Sequence, residues 1–113
     1  MSAPLFTQFR AAKNALEDAH HTLYGAVTAH ARAKRVLELA EAVTLSVGVD
    51  GKNEAQRAAN LRLELSAEHV ALQDAEDALA EARCAYEVAR LEWDLVRYQV
   101  RMLEATVPLE AVA

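Results

Sequence analysis

Glycine, proline and cysteine are nearly missing from this chain of 113 residues, which holds three, two and one of them. So few turn formers leave little room for sheets or tight reversals and point to long uninterrupted helices. A single cysteine, Cys84, cannot close an internal disulfide and fits a reducing compartment. No run approaches the ~20 apolar residues of a membrane helix, and the N-terminal residues lack the charged-then-apolar layout of a secretory signal. The expectation is a cytoplasmic protein with no membrane partner. A formal net charge of −5 argues against non-specific DNA binding, which relies on Lys and Arg neutralising phosphates.

What the chain has instead is a seven-residue apolar repeat in each half. Phe9, Leu16, Leu23, His30, Leu37 and Thr44 share one position, and Ala12, Ala19, Ala26, Ala33, Ala40 and Val47 the other. The second half alternates Leu65, Leu72, Leu79, Tyr86, Trp93 and Val100 with Leu61, Glu68, Ala75, Ala82, Ala89 and Val96. A sustained 3.5-residue period is the signature of helices supercoiled left-handedly. Alanine, leucine, glutamate and arginine are also strong helix formers. The fold class is therefore all-α: one domain over residues 1–113, a long antiparallel two-helix coiled-coil hairpin with an alanine-rich seam, expected to assemble as a dimeric four-helix bundle.

Boundaries follow from local chemistry. Ser2 can cap helix 1, expected over residues 4–47, with Pro4 in its first turn. Gly48-Val49-Asp50-Gly51 opens a turn over residues 48–53, and Asn53 with Gln56 resembles a capping box for helix 2. That helix is expected over residues 54–106, stopped by Pro108, with a short tail at 107–113.

Volume suggests a register. Pairing residues whose numbers sum to 98 sets Phe9 on Ala89, Ala12 on Tyr86, Leu16 on Ala82, Ala19 on Leu79, Leu23 on Ala75, Ala26 on Leu72 and Ala33 on Leu65. Large meets small throughout, as close packing prefers. The two polar seam residues, His30 and Glu68, meet as a layer that specifies register. Trp93 then faces Leu5, and the helix 2 stripe runs past its neighbour. Leu95, Val96, Tyr98, Val100, Met102 and Leu103 are left for an interface with another copy or a partner protein. Helix 1 carries a second row, Ala11, Ala15, Thr22, Gly25, Ala29, Val36 and Val43, able to receive a further helix closely.

Catalytic chemistry finds no foothold. His20, His21, His30 and His69 offer no pair at i, i+4 and no convergent set of three, so no metal or other cofactor is expected. Arg83 adjoins Cys84, but no base is evident by spacing. The carboxylates fall mostly outside the seams and read as solvated faces, so no enzyme is expected. The turn lacks P-loop spacing, yet it ends at a helix N-terminus where Lys52, Asn53 and Arg57 could contact an anion.

Asp50-Gly51-Lys52-Asn53, with Arg57 and the Leu61/Leu63/Leu65 cluster, resembles a small family of phage and prophage helical-hairpin proteins. These carry a D-G-K-N-x-x-x-R turn, a long Ala/Glu/Arg-rich helix, and a segment similar to Leu91-Glu92-Trp93-Asp94-Leu95-Val96-Arg97; the likeness spans residues 48–103. It implies a phage-encoded protein of the host cytoplasm, from a family often encoded among DNA replication and recombination genes, and it supplies no catalytic residues. The leading functional expectation is a non-enzymatic helical accessory or adaptor that forms homo-oligomers and mediates protein–protein interaction in DNA recombination or replication. The alternative is direct nucleic-acid binding through Lys52, Arg57, Arg62 and the heptad-spaced Arg83, Arg90 and Arg97. A secreted hairpin of the WXG type is weaker still: Trp93 is not followed by x-Gly and lies far from the turn.

Overall fold

The computed structural model describes the backbone of residues 2–112 and the side chains of residues 2–105. All secondary structure among them is helical: α1 spans Ala3–Val47, α2 Glu54–Glu64 and α3 Ser66–Val112. Helix α1 starts where a serine cap can serve it. The Leu5 N–H donates to Ser2 Oγ at 3.3 Å, satisfying one of the first-turn donors that no helix can pair internally, and the Phe6 N–H makes the first helical bond, to the Ser2 carbonyl at 2.9 Å.

The chain divides into two compact units. One combines Met1–Leu23 with Ala82–Ala113, the other holds Tyr24–Glu81. In the first, α1 turns Leu5, Phe9, Ala12, Leu16, Ala19 and Leu23 inward, against Ala82, Tyr86, Ala89, Trp93, Val96, Val100 and Leu103 of α3. In the second, the inward residues of α1 include Ala26, His30, Ala33, Leu37, Ala40 and Thr44, facing Leu61, Leu65, Glu68, Leu72, Ala75 and Leu79. These are the heptad positions expected from the sequence, except that Val47, at the last turn of α1, is 83% exposed. Each pair buries a single stripe per helix. Among the described residues only Ala12, Leu37, Leu65, Leu79, Ala82 and Ala89 are buried, each still 5–9% exposed.

Within each unit the helices are antiparallel, but the expected register is displaced. Phe9 meets Trp93 in a tilted pair, 5.0 Å between ring centroids, where Ala89 was expected. His20 lies 6.0 Å from Tyr86, and His30 Nε2 approaches Glu76 Oε1 at 3.8 Å, not Glu68. These pairs sum to 102, 106 and 106 where 98 was expected. A slip of one heptad, to a sum of 105, fits the two pairs that sum to 106, and Phe9 with Trp93 lies between the two registers. The slip sets Leu16 on Ala89, Ala19 on Tyr86 and Leu23 on Ala82 in one unit, and Ala26 on Leu79, Ala33 on Leu72 and Ala40 on Leu65 in the other. Large still meets small, because both stripes repeat every seven residues and a seven-residue slip leaves the volume pattern unchanged.

The slip also corrects the overhang. Trp93 meets Phe9, so about one more turn of α1 remains beyond that contact to cover α3. Val96, Val100 and Leu103 are accordingly half-buried and continue the seam, while Leu95, Tyr98 and Met102 stay exposed.

Two helix boundaries differ from expectation. The second helix is interrupted at Leu65, whose φ of −101° and ψ of 25° lie in the bridge region. The interruption is one residue wide. The Leu65 N–H still reaches the Leu61 carbonyl at 3.1 Å and the His69 N–H reaches the Leu65 carbonyl at 3.0 Å. No proline or glycine marks the site, and Leu65 is among the most buried residues, so packing holds a backbone angle that local propensity does not ask for. At the other end α3 continues through Pro108 to Val112, with no tail at 107. A proline costs a helix one hydrogen bond and a ring clash, about 3 kcal/mol, and the residues that follow, Leu109-Glu110-Ala111, favour helix.

The register has a direct test. Ala26→Leu should overpack against Leu79 and destabilise by about 1–3 kcal/mol in urea or thermal unfolding, and Leu79→Ala in the same chain should recover part of that loss. Ala19→Leu combined with Leu79→Ala should be additive. Coupling in the second pair and none in the first would restore the register that sums to 98.

Candidate interaction site

The turn is the most constrained part of the sequence, and its polar residues are spent on one another. Helix α1 closes on Gly48, whose φ of 106° is open to glycine and whose N–H donates to the Thr44 carbonyl at 3.0 Å. Helix α2 opens on Asn53, whose Oδ1 accepts from the Gln56 N–H at 2.8 Å. Gln56 returns the bond one residue further out, its Oε1 accepting from the Lys52 N–H at 2.8 Å. Arg57 Nη1 donates to the Gly51 carbonyl at 3.3 Å, and Asn60 Nδ2 to the Asp50 carbonyl at 2.7 Å. Lys52, Asn53 and Arg57 thus all take part in the turn's own structure, and the D-G-K-N-x-x-x-R pattern describes a closed cap. Gln56 and Asn60 complete it. Gln56 was legible as a capping partner, whereas Asn60 clasps a carbonyl ten residues back, a contact that spacing does not suggest.

The polar seam residues do not form one layer. His30 keeps a 30%-exposed side chain beside Glu76, while half-buried Glu68 sits at the level of Leu37 in the displaced register. His20 and His21 stand 6.4 Å apart by ring centroids and, with Leu16, Glu17 and Tyr86, line a recess of about 280 Å³. No group of three or more His, Cys, Asp or Glu converges among the described residues.

The arginines are dispersed. Arg83 and Arg90 are exposed, Arg97 lies 3.8 Å from Asp94, and Arg57 is turned onto the loop. Arg62 borders a shallow apolar groove of about 500 Å³ with Ala59, Leu63, Ser66, His69 and Val70.

Two apolar rows stand outside the seams. In the Tyr24–Glu81 unit, Gly25, Ala29, Val36, Leu39 and Val43 share one exposed face of α1, interrupted by the charged Arg32 at the alternating spacing of three and four. Val36, Leu39 and Val43 are 50%, 66% and 55% exposed, and a Cβ added at Gly25 would meet nothing within 4 Å. In the other unit, Val88, Leu91, Leu95, Tyr98 and Met102 follow the same spacing and are 51–67% exposed. Leu95, Tyr98 and Met102 were expected at an interface as part of an overhang. They belong instead to this row, with Val88 and Leu91, which the overhang argument missed. Their signal was present as a second heptad offset from the seam.

Gly51 tests the turn. Its φ is 152°, and an added Cβ would lie 2.6 Å from Arg57 Cγ and 2.7 Å from Arg57 N. Gly51→Ala should therefore cost about 1–3 kcal/mol in thermal unfolding, and Arg57→Ala should relieve only part of it, since the backbone contact remains. A neutral Gly51→Ala would mean that the turn is loosely held.

Compared with protein families, curated proteins and solved structures, the chain has no significant match.

Proposed function

We propose that this protein is a non-enzymatic helical adaptor, which docks a partner protein on the exposed apolar row of α1 formed by Val36, Leu39 and Val43. One observation carries the reading. Three large apolar side chains, each at least half exposed, lie at i, i+3 and i+7 on one helix whose seam is already filled, the arrangement by which a groove or second helix reads an amphipathic partner. Gly25 and Ala29 extend the row with small residues that let another backbone approach closely.

The process follows from the resemblance of residues 48–103 to phage helical-hairpin proteins: the partner we infer is a DNA-processing protein of recombination or replication. No observation favours direct nucleic-acid binding as a second reading. Of its candidate cations, Arg57 closes the turn and Arg97 sits beside Asp94. No helix among the described residues is long and apolar enough to cross a membrane.

Co-purification from infected or lysogenic host cells tests the reading. A tagged chain should retain a DNA-processing protein after nuclease treatment, and Leu39→Glu with Val43→Glu should abolish its recovery while the circular dichroism spectrum stays helical. Recovery that nuclease abolishes would assign nucleic acid as the ligand, and recovery indifferent to the double substitution would remove the α1 row from the function.

A further inference from the structure

The row Val88, Leu91, Leu95, Tyr98 and Met102 lies on α3 away from its seam. In heptad terms the seam residues Ala89, Val96 and Val100 occupy outer positions of this second repeat, so α3 is apolar on two opposite sides over the same stretch. Val88, Leu95 and Met102 take its a positions; Leu91, Tyr98 and Ala105 take d. A helix with one filled stripe and one exposed stripe of this length lacks a neighbour.

We propose that the missing neighbour is a second copy of the same helix, packed antiparallel so that Leu91 faces Met102 of the second copy and Leu95 faces its Tyr98. The inference rests on the reading of the exposed apolar rows as interfaces, but it concerns a different row from the one assigned to the partner protein.

Charge selects the direction and register. In an antiparallel coiled coil the residues preceding the a positions face their counterparts, as do those following the d positions. With Leu95 on Tyr98, Asp94 comes opposite Arg101 of the second copy, twice by symmetry, and Glu92 comes opposite Gln99. No like charges meet. A slip of one heptad would set Asp94 on Asp94 and Glu92 on Glu92 across the two-fold axis. A parallel pair would set Glu87 on Glu92. Asp94 is only loosely engaged within its own chain, at 3.8 Å from exposed Arg97, and remains able to take a second guanidinium.

Area agrees with charge. Five large side chains, each 51–67% exposed, offer roughly 500 Å² per copy, so a two-fold pair buries about 1,000 Å², the lower bound for a specific interface. The symmetry is closed, so the pairing ends at the dimer and does not propagate into a filament.

The chain carries its own probe of direction, exposed Cys84, which continues the d positions seven residues before Leu91. In a parallel pair it would face its counterpart; in the antiparallel register it would not. Sedimentation of the purified chain at tens of micromolar should show a dimer, and Leu91→Glu with Leu95→Glu should return it to monomer while leaving the helical spectrum intact. Mild oxidation should not cross-link the wild-type chain through Cys84. Leu91→Cys with Met102→Cys, in a Cys84→Ser background, should give a covalent dimer, and either new cysteine alone should not. This conservative pair keeps the result readable if the charged variant unfolds. A monomeric wild type with no cross-link in the double-cysteine chain overturns the pairing, and Cys84 cross-linking overturns its direction. Neither result touches the adaptor reading, whose test depends on Leu39 and Val43.

Discussion

Everything in this protein depends on a constraint of volume: helices packed along a seam of alternating large and small side chains. In the register that sums to 105, leucine or tyrosine on one helix meets alanine on the other at six positions, from Leu16 on Ala89 to Ala40 on Leu65, and Phe9 with Trp93 makes one large aromatic pair where the chain ends approach. The seam is narrow. With one stripe per helix and few residues buried, stability is spread thinly along it, and the polar members His30 and Glu68 are kept at its half-exposed margin where water can still reach them. With so thin a core, the recesses beside the histidines and at the α2/α3 junction are shallow grooves between side chains.

The turn works by a different chemistry. Where the seam uses shape, residues 48–60 use hydrogen bonds, with two glycines supplying positive φ and four side chains closing on backbone groups of the same loop. Lys52, Asn53 and Arg57 stand where an anion could be met, yet the Lys52 N–H and the Arg57 guanidinium are already engaged by Gln56 and Gly51. A tightly closed turn fixes where α1 stops and α2 starts, and this limits which heptad registers the two helices can reach.

The functional reading comes from what remains after seam and turn are accounted for. Exposed valines and leucines scattered singly would mean nothing, since much of any protein surface is apolar. Here they recur with helical spacing on α1 in one unit and on α3 in the other, and a stripe of that kind is the form in which a helix recognises another helix. Two rows on different helices allow self-association and partner docking to be separate events, governed by different residues.

The faces of the helices were legible in the sequence by themselves. The 3.5-residue period placed the seam positions from Leu5 to Thr44 and from Leu61 to Val100, and the caps at Ser2 and Asn53 were readable from side-chain chemistry acting over three or four residues. The register was not, because a pattern that repeats every seven residues looks the same after a seven-residue slip. Only the meeting of particular side chains, Phe9 with Trp93, His20 with Tyr86 and His30 with Glu76, distinguishes one heptad from the next. Leu65 and Asn60 were hidden for a related reason. The break in the helix at Leu65 coincides with deep burial, and the clasp from Asn60 to Asp50 exists only once the turn has folded back on α2. Periodicity is a property of one helix, and register is a property of two; tertiary packing alone decides the second.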